Sequence, residues 1–318
     1  MSKLRQLVAV TLCMLLLSST SQAWFGFGHM AVAYVAYQQL TATQKTRVAA
    51  LLKKNPYYNT KWKKLIPAGT PANQRDLMLF MIAATWPDQI KSDSTYSNDG
   101  PDGGNRPPAG PSASQNIGYS DHNRHKYWHF VDTPFTQDGA SLPPIPNPNA
   151  GTEIAKLRKT LALKKSSKTD SLKSYDLVWL LHLVGDVHQP LHSSTRVSAG
   201  ELNGDNGGNN VKLNDPSKEL HAFWDGLPGD SSNPADVISY AKALASADPV
   251  LANKMDASDW ISESFNIAET FVYSAPVGAG DGPFTITPEY KDKAQKIAAE
   301  RVALAGQRLA NLINNELK

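Results

Sequence analysis

The chain has 318 residues, 41% of them hydrophobic and 19% charged, a balance that excludes a disordered chain and a membrane bundle. A net charge of +3 is too small to imply a nucleic-acid partner by itself. The single cysteine excludes a disulfide framework and a cysteine-bound zinc module, so any metal has to sit on His, Asp and Glu.

Residues 1–23 read as a Sec-type signal peptide. Lys3 and Arg5 precede an apolar run over 7–17, and Ser21-Gln22-Ala23 ends in the small residues a signal peptidase prefers. The run is too short to span a bilayer, and Cys13 lies inside it. Cleavage after Ala23 removes that cysteine and exposes Trp24. The expectation is a secreted or periplasmic protein whose one domain covers 24–318 and folds in an oxidising compartment without disulfides.

The rest reads as helix. Residues 30–52 carry a helical apolar period, with Thr41 as a cap or break. Residues 72–85 form a second candidate, ended by Trp86-Pro87. Residues 152–163 and 175–187 follow, the latter stopped by Pro190. Shorter candidates cover 219–225 and 235–245, and long amphipathic ones 256–273 and 288–317. Alternating runs with hairpin turns are missing, so the fold class is all-α, a single domain. Polar loops over 92–124, 133–150 and 193–216 are long enough to suggest function.

The eight histidines fall at 29, 122, 125, 129, 182, 188, 192 and 221. His182 and Asp186 are four apart on an expected helix, which puts imidazole and carboxylate on one face. His221 and Asp225 repeat the spacing. One isolated pair of this kind is usually an ordinary ion pair or hydrogen bond. Two pairs with apolar flanks are harder to dismiss, because a buried carboxylate needs a cation or a hydrogen bond. Pro190 turns the chain, so His192 can approach from a new direction. Trp24-Phe25-Gly26-Phe27-Gly28-His29 adds a possible nitrogen ligand at a freed α-amino group, with two glycines to let His29 fold back. The same segment could equally be an aromatic anchor in the core.

These pieces together resemble the zinc-dependent single-strand nuclease family typified by the fungal S-one and P-one nucleases. The resemblance rests on Trp24…Gly28-His29, Trp86-Pro87-Asp88, Trp128-His129-Phe130-Val131-Asp132, His182-x-x-x-Asp186-x-His188-Gln189-Pro190-Leu191-His192, Gly207-Gly208-Asn209 and Leu220-His221-x-x-Trp224-Asp225. It implies a helical fold, shared with the zinc phospholipases C, whose cleft holds three zinc ions. Asp88, His129, His182 and Asp186 would hold one ion. His192, His221 and Asp225 would hold a second. The amino nitrogen and carbonyl oxygen of Trp24, with His29 and the bridging Asp186, would hold a third. His188 would orient a ligand. His122 and His125 receive no role.

Imidazole with carboxylate suits zinc, whereas magnesium and calcium prefer oxygen. Zinc lowers the pKa of bound water from 15.7 to about 7 and so supplies hydroxide near neutral pH. The catalytic set implied is Asp88, Asp186, Lys91 and Asn209, the last two on phosphate, with Phe130 and Asp132 stacking on and hydrogen-bonding a base. Lys91, Asn209 and Phe130 also have bland readings, as a solvated lysine, a turn residue and core. The implied substrates are single-stranded DNA and RNA, cut at P–O3′ to leave 5′-phosphates, and 3′-nucleotides. No stable protein partner and no membrane are implied.

Two features depart from the family. The mature chain lacks the disulfides common in fungal and plant members, and Pro87 stands where the family often has Ala. One alternative is a zinc phospholipase C, whose last ligand is typically Glu rather than the Asp225 found here. The other is a secreted zinc-binding protein without catalysis, which has no use for Lys91, Asn209 or a base pocket.

Overall fold

The computed structural model describes residues 24–110, 113 and 118–318. The expected signal peptide lies outside the described residues. The first expected helix is two: α1 (Gly26–Gln39) and α2 (Ala42–Lys54), with the Thr41 hydroxyl accepting the Gln44 N–H at 3.2 Å as a cap. Next come α3 (Arg75–Ala83) and α4 (Trp86–Gln89). Here Trp86-Pro87 opens a helix rather than ending one. Proline is tolerated in the first turn, where its missing N–H is not needed.

Helix α5 (Ala150–Leu161) precedes α6 (Ser167–Asp186). Helix α6 starts eight residues before the apolar pattern shows it, because its first turns are polar and held by a capping box of Ser166 and Thr169. The main helices that follow are α7 (Leu220–Asp225), α8 (Pro234–Ala243), α9 (Ala257–Ile267), continued by a π-helical turn over Ala268–Val272, and α10 (Pro288–Glu316). Among the described residues the one sheet is a parallel pair, β1 (Pro134–Thr136) with β2 (Thr195–Val197), in the register Phe135 to Arg196. The fold is thus mostly helical, as the sequence reading has it.

Helix α6 is the axis of the molecule. Every residue from Lys173 to Asp186 is buried. A helix apolar on all sides belongs in the interior of a protein. It packs among α2, α5 and α10, and its C-terminal end, with His182 and Asp186, is sealed from water. A second core cluster surrounds Leu191, Trp224, Tyr273 and Tyr290. No described helix is long and apolar enough to cross a membrane.

Candidate metal centre

Five elements converge on Asp186. Helix α6 carries His182 and Asp186 on one face. Helix α1 brings His29 alongside, with its ring stacked on His182 at a centroid distance of 3.7 Å. Gly185 makes room for that: a Cβ there would stand 2.9 Å from His29 Nδ1. Helix α4 brings Asp88, locked by Trp86 in a box of Tyr96, Tyr119, Tyr175 and Trp179.

The strand pair brings the next two ligands together. Val131 N–H donates to the His192 carbonyl at 2.8 Å and Thr195 N–H to the Thr133 carbonyl at 3.0 Å. His129 and His192 therefore sit side by side at the start of β1 and β2. Helix α7 supplies His221 and Asp225.

The distances define three groups, the first two sharing His182. His29, Asp88 and His182 form the first, His129, His182 and Asp186 the second, and His192, His221 and Asp225 the third. Asp186 lies 3.0 Å from His129 Nδ1, 3.3 Å from His182 Nε2 and 3.3 Å from His29 Nε2. All these residues are buried. His29 Nδ1 and Nε2, His129 Nε2, Asp186 Oδ1 and Asp225 Oδ2 have no hydrogen-bond partner. Leaving one such buried atom unpaired costs about 1–3 kcal/mol. So many around common points mark a place where something else completes the bonding.

The ring orientations say what. A carbonyl can only accept, so His182 Nδ1 donates to Ala84 O at 2.8 Å, His192 Nδ1 to His129 O at 2.8 Å and His221 Nδ1 to Gly207 O at 2.7 Å. In the neutral ring each leaves its Nε2 as a lone pair, that of His182 lying 3.0 Å from His129 Nδ1. The Nε2 atoms of His192 and His221 face each other at 3.1 Å, which is repulsive without a cation or proton between them. Gly207, at φ +59°, shapes its carbonyl for this: a Cβ there would lie 2.5 Å from the Leu191 carbonyl oxygen. Gln189 donates to Asp225 Oδ1 at 2.7 Å and turns the other carboxylate oxygen toward His221.

The electrostatics favour neutral imidazoles at His29, His129, His192 and His221. Burial, aided by Lys91, lowers the His129 pKa to about 3. Burial also lowers His192 to about 3 and His221 to about 4. Burial, with His182 adding, lowers His29. At His182 burial is outweighed by Asp186 and Asp88, and the pKa rises. Burial opposes ionisation of Asp88 and Asp186, but Lys91 and His182 at the first and His182 and His129 at the second hold both carboxyls low. Burial, with Asp88 and Asp186 adding, pushes Asp225 well up, as expected for a carboxylate facing other carboxylates without a cation. Neutral imidazoles and crowded carboxylates are the donor set of a borderline divalent cation.

The centre opens into a cleft of about 910 Å³, lined among others by Lys91, His129, Phe130, Asp132, His192 and Asn209. Lys91, Phe130, Asp132 and Asn209, the residues singled out for substrate, all line this cleft. Lys91 Nζ stands 2.8 Å from Asp88 Oδ1. Asn209 Nδ2 donates to Asn206 O at 2.6 Å. Burial, with Asp205 adding, raises the Asp132 carboxyl to about 7.

The model of the S1/P1 Nuclease family matches residues 24–318. The chain belongs to the S1/P1 nuclease family. It is also 26% identical over 181 residues to Nuclease S1 of Aspergillus oryzae, an alignment that covers 51% of this chain and 61% of that protein. The chain thus spans somewhat under two thirds of the length of the curated relative it matches. For a member of this family the all-α fold is the expected one.

His188 differs from expectation. Its Nδ1 donates to Val184 O at 2.7 Å and its Nε2 accepts from Arg308 at 2.9 Å, so its ring orients none of the candidate ligands. Two things escaped the sequence reading. Gln189 was inside a quoted motif without a role. His125, given no role, holds together the long loop before His129: its two ring nitrogens meet Asp99 at 2.6 Å and Asp121 at 2.7 Å, and its ring stacks on Trp128 at 3.8 Å. His125 and Asp121 stand four apart, so the signal was present in the spacing.

Proposed function

We propose that the protein is a zinc-dependent hydrolase of phosphodiester bonds in single-stranded DNA and RNA that also removes phosphate from 3′-nucleotides, and that it acts outside the cytoplasm once residues 1–23 are removed. The observation that carries this reading is the set of orphaned lone pairs around Asp186 at the floor of a cleft lined by Lys91, Phe130 and Asn209. In a nuclease family, that combination suits an anionic diester.

His129, His182, Asp88 and Asp186 would hold one ion, and His192, His221 and Asp225 a second. His29 and Asp186 would join the backbone nitrogen and oxygen of Trp24 around a third. Trp24 is tied in by its indole N–H to Gly185 O at 3.1 Å, and Phe25 N–H to Asp225 O at 3.3 Å, which supports a terminus that ends among the ligands. Bound zinc supplies an activated nucleophile and offsets negative charge.

The chain's own groups divide the remaining work. Lys91 gives up Asp88 to a phosphoryl oxygen when cations screen that carboxylate, and Asn209 donates its amide to the same group. Phe130 offers a face for one unpaired base, an interaction worth about 1–3 kcal/mol and indifferent to sequence. Asp132, raised to about 7, donates to a base edge when protonated and accepts when ionised. A base must leave its duplex to stack, so unpaired strands are the better substrate.

The test is zinc content and hydrolysis on correctly processed protein. About three zincs per chain, with turnover of octathymidylate and 3′-AMP, is expected. Release of phosphocholine from phosphatidylcholine instead makes it a phospholipase C. Tightly held zinc with no hydrolysis makes it a binding protein. One extra residue before Trp24 should cost a zinc and most of the activity, and full activity of such a variant rejects the role of the terminus.

A further inference from the structure

The cleft has two unlike walls. One belongs to the loop between α4 and His129 and carries Arg106 and Lys126, with Lys91 at its inner end. The other is the proline-rich segment before α5 and carries Pro143, Pro144 and Ile145. Ile145 is 46% exposed, a large apolar side chain left in water at the edge of a functional cleft. Arg106 meets Asp102 only at 3.9 Å, and Lys126 Nζ donates to the neutral Gly103 carbonyl at 2.9 Å. Burial, with Arg124 and Lys91 adding, lowers the Lys126 pKa, so this cation is crowded by others.

We infer that the two walls form a further subsite for the same strand, in which Arg106 and Lys126 take a flanking phosphate and Ile145 with the adjoining prolines takes the next nucleobase. This rests on the nuclease reading. A single strand alternates anionic and flat apolar units, and here cations and an apolar surface line the same cleft. An apolar peptide would use Ile145 and bring no anion to the cations. A duplex would satisfy the cations and offer no open base face.

Both walls are held in advance, which lowers the ordering cost of binding. Lys126 follows His125, which is fixed between Asp99 and Asp121. Proline fixes φ on the other wall, and Asn149, the cap of α5, donates to Pro146 O at 2.9 Å. Arg106 also links the subsite to the base position, since its charge favours ionisation of Asp132.

The experiment compares zinc-loaded wild type with the double variant Arg106→Ala, Lys126→Ala, with Ile145→Asp, and with the charge-preserving pair Arg106→Lys, Lys126→Arg. The readout is the ratio of kcat/KM for octathymidylate to kcat/KM for 3′-AMP, which is too short to reach the subsite. The first two variants should lower that ratio about tenfold, the scale of one lost stacked base or phosphate contact. The loss should lie in KM for the octamer, and the charge-preserving pair should recover it. The log–log salt dependence should become shallower by about 0.7 per cation removed, which a merely structural role does not produce. An unmoved ratio, or an equal loss on both substrates, overturns the subsite. If wild type hydrolyses neither substrate, the nuclease reading fails on its own account. The subsite is then judged by the anisotropy of labelled octathymidylate, where equal affinity for wild type and the double alanine variant rejects it.

Discussion

Two clusters in this protein are made of the same side chains and behave oppositely. Around His125, one imidazole lies between two carboxylates, and both ring nitrogens are bonded at 2.6 and 2.7 Å. The backbone N–H of His125 and the hydroxyl of Tyr127 complete Asp99. Around Asp186, imidazoles and carboxylates are more crowded and more deeply buried, yet lone pairs face lone pairs. The first cluster is a finished ion-pair network that staples a loop. The second is left unfinished by the protein's own groups. Burial and residue type do not separate a structural histidine from a ligand; the accounting of each nitrogen does.

The largest test of that contrast is Asp186→Asn. Losing the carboxylate shared by three imidazoles should remove zinc and lower hydrolysis of octathymidylate by at least ~100-fold. His125→Gln should leave zinc content near that of wild type, and a metal assay that shows equal loss in both variants would erase the distinction. Chelation comes next. Stripping zinc should lower the melting temperature by on the order of 10 °C, because a tightly held ion stabilises the folded chain alone. Calorimetry that finds no shift would mean the orphaned atoms around Asp186 need no cation.

His125→Gln should cost about 3 kcal/mol, as expected when one partner of a buried ion pair is removed. The pH dependence follows from the raised His125 pKa: burial lowers it, but the hydrogen bonds and charges of Asp121 and Asp99 prevail. A raised folded value contributes stability that is complete below the unfolded value of about 6.5 and is lost as pH rises through the folded value. The gap between wild type and variant in urea unfolding should therefore be wider at pH 6 than at pH 9. A gap that widens toward alkaline pH would contradict a charged His125. The smallest effect concerns Asp132. KM for an oligonucleotide should change around pH 7 in wild type, where that carboxyl ionises, and this inflection should vanish in Asp132→Asn.

The same contrast shows how far the residues alone could be read. His182 and Asp186, or His221 and Asp225, sit at a spacing that puts both on one helical face, and the quoted motifs carried the family. His125 and Asp121 have that spacing too, in a loop rich in Gly and Pro, where no helical period singles them out. The polar first turns of α6 hid its start at Ser167. Pro87 looked like a stop and is a start, because both uses of proline begin with the same missing N–H.

The sequence by itself determined that the protein is helical, that its single cysteine cannot build a cysteine metal module, and which short segments carry coordinating side chains, since these follow from periodicity, composition and local spacing. Only the tertiary structure decided which lone pairs stay bare. It bent the chain at Pro190, set β1 beside β2 so that His129 meets His192, and used Gly185 to bring His29 onto Asp186. It also raised two walls from loops that show no pattern in the sequence. Contacts between residues more than a hundred positions apart depend on packing that no local period encodes.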